Sequence, residues 1–261
     1  MLRSLYSGVS GMKNFQTKLD VIGNNIANVG TTGFKKSRVT FQDTFSQQLA
    51  GAKAPAGGQG GTNAQEIGLG SSMGTIDTVQ SEGAPQFTGR KLDIAIRGEG
   101  YLTVSNEGGE TFYSRAGNLY LDQDSRLVTA DGLYVNGVNG PIPPDATSLT
   151  IDEFGTVSYL NNENQVENAG QIQLATFANS EGLEKAGGNL YTASLNSGNP
   201  DVGNPGQNGK GTIQQGYLEM SNVELSDEFT EMIVGQRGFQ ANSKIITTSD
   251  EILQELLNLK R

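Results

Sequence analysis

The chain contains no cysteine, no histidine and no tryptophan. Without thiols or imidazoles there are no disulfides, no thiolate nucleophile, no histidine general base and none of the usual zinc or copper ligands. Hydrophobic side chains make up only 35% of the 261 residues, and no stretch approaches the 18 to 20 apolar residues that cross a bilayer as a helix. The N-terminus lacks the apolar core and small-residue cleavage site of a secretory signal. Basic residues are also scarce. The net charge is −10, so a nucleic-acid partner, which needs a basic face, is not expected.

What the chain has instead is glycine, 36 residues of it, concentrated between two ends of different character. From Leu2 the apolar residues Leu5, Val9, Met12, Phe15, Leu19, Ile22 and Ile26 recur at steps of three and four, which keeps one stripe on one face of a helix. Asn28 and Gly30 suit its C-terminus. Near the other end, Ser221 followed by Glu224 has the form of a capping box, with a second start at Ser226-Asp227-Glu228. Beyond it Leu225, Phe229, Met232, Gln236, Phe239, Ser243, Ile246, Asp250, Leu253 and Leu257 trace a heptad-like line broken by three polar positions. Lys260 and Arg261 end the chain, where a helix dipole favours cations.

Neither helix can bury its stripe alone, and charge favours their pairing with each other. Residues 1–40 carry six Lys or Arg against one acid, Asp20, whereas residues 221–261 carry seven acids against four bases. Exposed ion pairs contribute only about 0 to 1 kcal/mol each, so charge would set register and the apolar seam would supply most of the free energy. The expected seam is Leu5, Val9, Met12, Leu19, Ile22 and Ile26 against Phe229, Met232, Ile233, Phe239, Ile246 and Leu253.

Between the helices, period-two runs separated by Gly, Asn and Asp predict strands at 74–79, 93–96, 101–104, 111–114, 119–121, 127–129, 133–135, 148–151, 156–160, 172–177 and 190–193. Asp131-Gly132, Asn136-Gly137 and Asn139-Gly140 are turn dipeptides, and Pro141–Pro144 marks a break. Residues 50–62 and 196–211 read as linker or loop. The fold class is therefore α+β, predominantly β, with the terminal helices paired as a coiled coil, a glycine-rich β base and an inserted β domain. The expected segments are an N-terminal helix (1–29), a base (30–90), an inserted domain (91–205), a return through the base (206–225) and a C-terminal helix (226–261).

Candidate chemical sites fail on spacing. Gly98-Glu99-Gly100 has Thr103 where a dinucleotide fingerprint needs glycine, and Gly209-Lys210 has Asn204 and Gly211 where a phosphate loop needs Gly and Ser or Thr. Asp122, Asp124 and Asp131 invite a calcium loop, but Arg126 and Leu127 occupy a ligand position and the glycine position, which favours a hairpin tip. No carboxylate pair stands out among 28 acids, so neither a hydrolase, nor a cofactor, nor a small-molecule substrate is expected. Tyr101, Phe112, Tyr113, Tyr120 and Tyr134 read as core or cross-strand residues. A carbohydrate-binding β module is an alternative, but it leaves the helices unexplained.

Four blocks carry a resemblance. Residues 19–28 (Leu-Asp-Val-Ile-Gly-Asn-Asn-Ile-Ala-Asn) with Thr32-Gly33-Phe34-Lys35 resemble the N-terminal signature of the bacterial flagellar hook and basal-body rod proteins. Residues 88–96 with Gly100-Tyr101, residues 112–117 with Leu121-Asp122 and 127–129, and residues 221–223 through 231–237 and 239–242 are similar to later blocks of that family in the same order. The resemblance spans nearly the whole chain. It implies a non-enzymatic axial subunit that polymerises into a hollow tube, with terminal helices lining the channel and β domains outward. It also implies export by the flagellar type III apparatus without a cleaved signal, and a place in the hook or basal body beside other rod, hook-cap and hook-filament junction proteins. Motif residues Asn24, Asn25, Asn28, Gly33, Phe34, Gln236 and Arg237 are carried over with it. For the three asparagines a helix-capping role and a subunit-contact role stay equally open. Residues 23–25, 113–115, 232–237 and the ending 257–261 look more like hook, and the length and residues 182–183, 189–191 and 216–217 more like distal rod. The expected assignment is hook, with distal rod as the alternative.

Overall fold

The computed structural model describes residues 2–55, 60–138, 140, 142, 143, 148–161 and 165–259. Lys260, Arg261, Asn139, Pro141 and Pro144 lie outside them. Two long helices, α1 (Leu2–Ala27) and α2 (Leu225–Leu259), bracket a chain of short strands. The chain forms two compact units, one from residues 2–27, 37–77 and 224–259, the other from 28–36 and 78–223. Residues 37–77 thus belong with the helices, whereas the sequence groups them with 206–225.

In the first unit α1 and α2 run antiparallel, because Gly8 faces Ile246 while Leu19 faces Gly235. The helix α2 begins at Leu225, one turn later than the capping box implies. Ser221 Oγ accepts from the Val223 N–H at 3.3 Å, outside any helix, and the first intrahelical bond runs from Glu228 N–H to Glu224 O. Residues 37–43 and 71–78 form one two-stranded ribbon, and 46–50 and 65–68 a second, antiparallel one. Strands at 46–50 and 65–68 flank the stretch 50–62 that reads as linker. Their side chains are all exposed, so pairing rests on the backbone, which composition does not reveal.

The second unit is built from strands, with one 3₁₀ turn at Ser180–Gly182 among the described residues. Its largest sheet is antiparallel, in the order 184–187, 190–192, 111–114, 101–105, 134–135, 127–129, 119–121, with 174–176 joining both 101–105 and 201–203. A three-stranded antiparallel sheet comprises 148–151, 156–160 and 166–171. The pairs 94–97 with 212–215 and 85–87 with 217–219 complete the unit.

Strand alternation separates two cores. Leu102 and Val104 turn one way, with Leu119, Leu127, Val157, Ile172, Leu174 and Ile213. Tyr101 turns the other way, with Tyr113, Ala175, Leu183 and Tyr191. In that second core Tyr101 meets Tyr191 and Phe177 edge-on at 5.7 and 5.9 Å between centroids, and Tyr113 meets Phe177 at 4.8 Å. Burial raises the Tyr101 hydroxyl to about 12 and raises Tyr191 as well. Tyr120 is partly exposed instead, with Arg90 stacked 4.3 Å from its ring centre.

The rejected phosphate and calcium motifs are structural. Gly98 and Gly100 take positive φ, and Glu99 O accepts from the Gly211 N–H at 2.7 Å. Lys210 is buried on Asp201 at 2.8 Å. Asp122 closes the hairpin between 119–121 and 127–129, accepting from the Ser125 and Gln123 amides.

Candidate functional site

The helix pair is built on small residues. A β-carbon at Gly235 would lie 3.1 Å from Leu19, one at Gly238 2.5 Å from the Phe15 ring, and one at Gly11 2.9 Å from Asn242. Both helices therefore carry glycines three residues apart, Gly8 and Gly11 on α1 and Gly235 and Gly238 on α2, and their backbones approach there. Lys18 on α1 is paired with Glu231 on α2 at 2.5 Å, a partly exposed contact of opposite charges between the helices.

This geometry turns α2 relative to the expected seam. The face toward α1 includes Glu228, Glu231, Gly235, Gly238, Asn242 and Ile246. Ile22 is buried, and Leu5, Met12, Leu19, Ile26, Met232, Ile246 and Leu253 are half-buried. Val9, Phe229, Ile233 and Phe239 are instead exposed, the last three at 50, 59 and 37%. The physical reason is that Leu19 and Phe15 fit against glycine, where a larger α2 face does not. A pattern search that counts only large apolar residues passes over the paired glycines, which were the available signal.

The motif asparagines divide. Asn25 is buried; its Oδ1 accepts from Ser37 N–H at 3.0 Å, and its Nδ2 donates to Ser37 O at 2.9 Å and to Glu228 Oε2 at 3.2 Å. It therefore ties α1, α2 and the start of strand 37–43 together. Asn28 accepts from Thr31 in the turn after α1, through both its backbone and its side-chain oxygen. Asn24 is exposed on α1. Gln236 and Arg237 are exposed on α2.

The remaining motif residues meet in the second unit, around a buried charge cluster that sequence reasoning missed. Glu219 accepts from Lys35 Nζ at 2.5 Å, Arg115 Nη1 at 3.2 Å and the Gly83 N–H at 3.0 Å. Lys35 also donates to Ser81 O at 2.8 Å, and Arg115 to Gly98 O at 2.9 Å. All three side chains are almost wholly buried. Desolvation holds Lys35 below the usual lysine range despite Glu219. Gly33, at φ 68°, sets the approach: a β-carbon there would lie 2.7 Å from Ala116 N. Asn222 fastens the same region, accepting from Lys36 N–H at 2.7 Å and donating to Val79 O at 2.8 Å. Such a cluster joins segments near 35, 83, 115 and 219. Only its two cations in motif blocks hinted at it, and their shared partner is visible only once the chain is folded.

Among the described residues no group of three or more carboxylates could hold a metal ion, and no helix is long and apolar enough to cross a membrane.

Three families match successive parts of the chain. They are described as Flagella basal body rod protein (residues 5–35), Flagellar hook protein FlgE/F/G D1 domain (95–159) and Flagellar basal body rod FlgEFG protein C-terminal (214–259). The Bacillus subtilis flagellar basal-body rod protein FlgG is 62% identical over the whole of both chains. The Caulobacter vibrioides protein of the same name is 38% identical over 99% of this chain and all of its own. The Borreliella burgdorferi flagellar hook protein FlgE is 30% identical, over 442 aligned positions that take in all of both chains. The matched segments contain most of α1, the three charged residues of the Glu219 cluster and all of α2, so the motifs and the geometry coincide. The chain belongs to the bacterial flagellar rod and hook proteins, exported axial subunits that polymerise and carry a structural rather than a catalytic role.

Proposed function

We propose that this chain is a rod subunit of the flagellar basal body, reversing the hook assignment that its sequence blocks favour. The observation that carries this is end-to-end correspondence with a basal-body rod protein at 62% identity. The alignment to a hook protein runs over 442 positions for a 261-residue chain, so that relative carries a long stretch with no counterpart here. In this reading the chain polymerises with copies of itself, meets neighbouring axial proteins at the rod ends and reaches them through the flagellar export apparatus.

The assembly surface is the outward side of the helix pair, where Val9, Phe229, Ile233 and Phe239 are exposed in one chain. Leu5, Met12, Leu19, Ile22, Ile26, Met232, Ile246 and Leu253 support that surface from within the unit. Exposed apolar stripes of this extent on a single chain fit burial against further copies. Electron microscopy of basal bodies from cells lacking the chain tests the assignment. A truncated rod is expected; a complete rod without a hook would return the hook reading, and normal flagella would remove both.

A further inference from the structure

The outer face of α1 carries one charge of the wrong sign for its helix, and α2 carries two, Arg237 and Lys244, of which Arg237 lies on the N-terminal half. Asp20 is the sole acid in residues 1–40, on a helix otherwise basic, and it is exposed. Arg237 is the sole base in residues 221–243, among acids, and it too is exposed. Lys18 and Arg38 of the same unit are engaged by Glu231 and Asp77. Asp20 and Arg237 make no ion pair among the described residues, and Arg237 makes only a long 3.4 Å hydrogen bond, to its neighbour Gln240.

Their surroundings are complementary. Asp20 lines a cavity of about 300 Å³ beside Thr17, Val21, Asn24 and Ile76, and it is the one charged group there. Arg237 stands one turn beyond exposed Ile233 on α2, so a guanidinium and an apolar shoulder are presented together. A planar, permanently charged guanidinium suits a carboxylate flanked by an amide. In a helical polymer, contacts between copies are heterologous: one patch of each subunit meets a different patch of the next.

We infer that Arg237 of one subunit enters the Asp20 cavity on α1 of a neighbouring copy, and that this pair sets the register of subunit addition. The inference rests on polymerisation, and it holds for rod or hook alike, so its failure leaves the rod assignment standing. The test uses full-length chains produced in cells lacking their own copy. Asp20→Arg and Arg237→Asp each place like charges together and should cut swimming and assembled structure at least about tenfold. The double exchange should restore both, with export and monomer melting unchanged in all three. Because the chain has no cysteine, an Asp20→Cys, Arg237→Cys chain treated with a short bismaleimide should give ladders of linked copies from isolated basal bodies. Single variants that assemble normally, a double exchange as defective as the worse single, or linkage confined to one chain would each overturn the inference. Where the cysteine pair does not assemble, the charge exchange decides alone.

Discussion

The two units solve the problem of burial in opposite ways. In the β unit, Ile94, Leu102, Val104, Leu119, Val157, Ile172, Leu174 and Ile213 are nearly inaccessible, and even its buried charges are paired. In the helical unit Ile22 is the one fully buried large apolar residue among those described. Tyr6, Val9, Phe45, Phe229, Ile233, Leu256 and Leu257 all meet solvent there. Burial of apolar surface is what stabilises a domain, at roughly 25 cal/mol per Å². The contrast therefore assigns monomer stability to the β unit, and on the proposed reading the helical unit is completed by other copies.

Truncation should break this comparison most sharply. Strands 212–215 and 217–219 close the β unit and bring in Ile213 and Glu219. A chain ending at 223 should keep a cooperative melt in calorimetry, and one ending at 205 should show none. Accordingly the protease-resistant core should comprise residues 28–36 together with about 78–223, rather than ending near 205 as the loop-like composition of 196–211 suggests. Replacing Glu219 with Gln should come next, leaving Lys35 and Arg115 buried without their shared anion at a cost of about 3 to 5 kcal/mol. Denaturant unfolding would measure it. A loss below about 1 kcal/mol would show that the cluster does not hold the unit closed.

Leu102→Ala follows, with a lower floor, about 2 to 5 kcal/mol by the same measurement. The equivalent change at exposed Ile233 should leave monomer stability within about 0.5 kcal/mol while impairing assembly. That pair sharpens the contrast, because on the proposed reading the residue with no effect on the monomer is one the polymer needs. A further effect is alkaline. An unfolded tyrosine loses its proton near 10, whereas folded Tyr101 holds its proton to about 12. Between these values the native state binds more protons, so stability falls as pH rises. Lys35, lowered by burial, acts in the opposite sense but only below its unfolded value of 10.5. Melting temperature should therefore fall between pH 10.5 and 12, by an amount equivalent to about 2 to 3 kcal/mol. Tyr101→Phe should flatten the part of that fall due to Tyr101.

What was legible in the sequence follows the same division. Strands at 111–114, 119–121, 127–129, 148–151 and 156–160 stand where alternation places them, because each turns side chains into a core. Strands at 46–50, 65–68 and 184–187 were invisible, since all their side chains are exposed and pairing is made by the backbone. Both helices were legible from their three-four stepping. Their contact face was not, because it is set by Gly11, Gly235 and Gly238, where the absence of a side chain is the feature. The Glu219 cluster depends on pairings more than a hundred residues apart, which no local pattern encodes.

Hydrogen exchange on the full-length chain, as monomer and as polymer, tests the division most directly. Amides of α1 and α2 should exchange rapidly in the monomer while strands 94–97, 101–105, 174–176 and 212–215 stay protected, and the helices should gain protection of roughly a hundredfold or more on assembly. Helices protected in the monomer as strongly as those strands, with no change on assembly, would contradict the account.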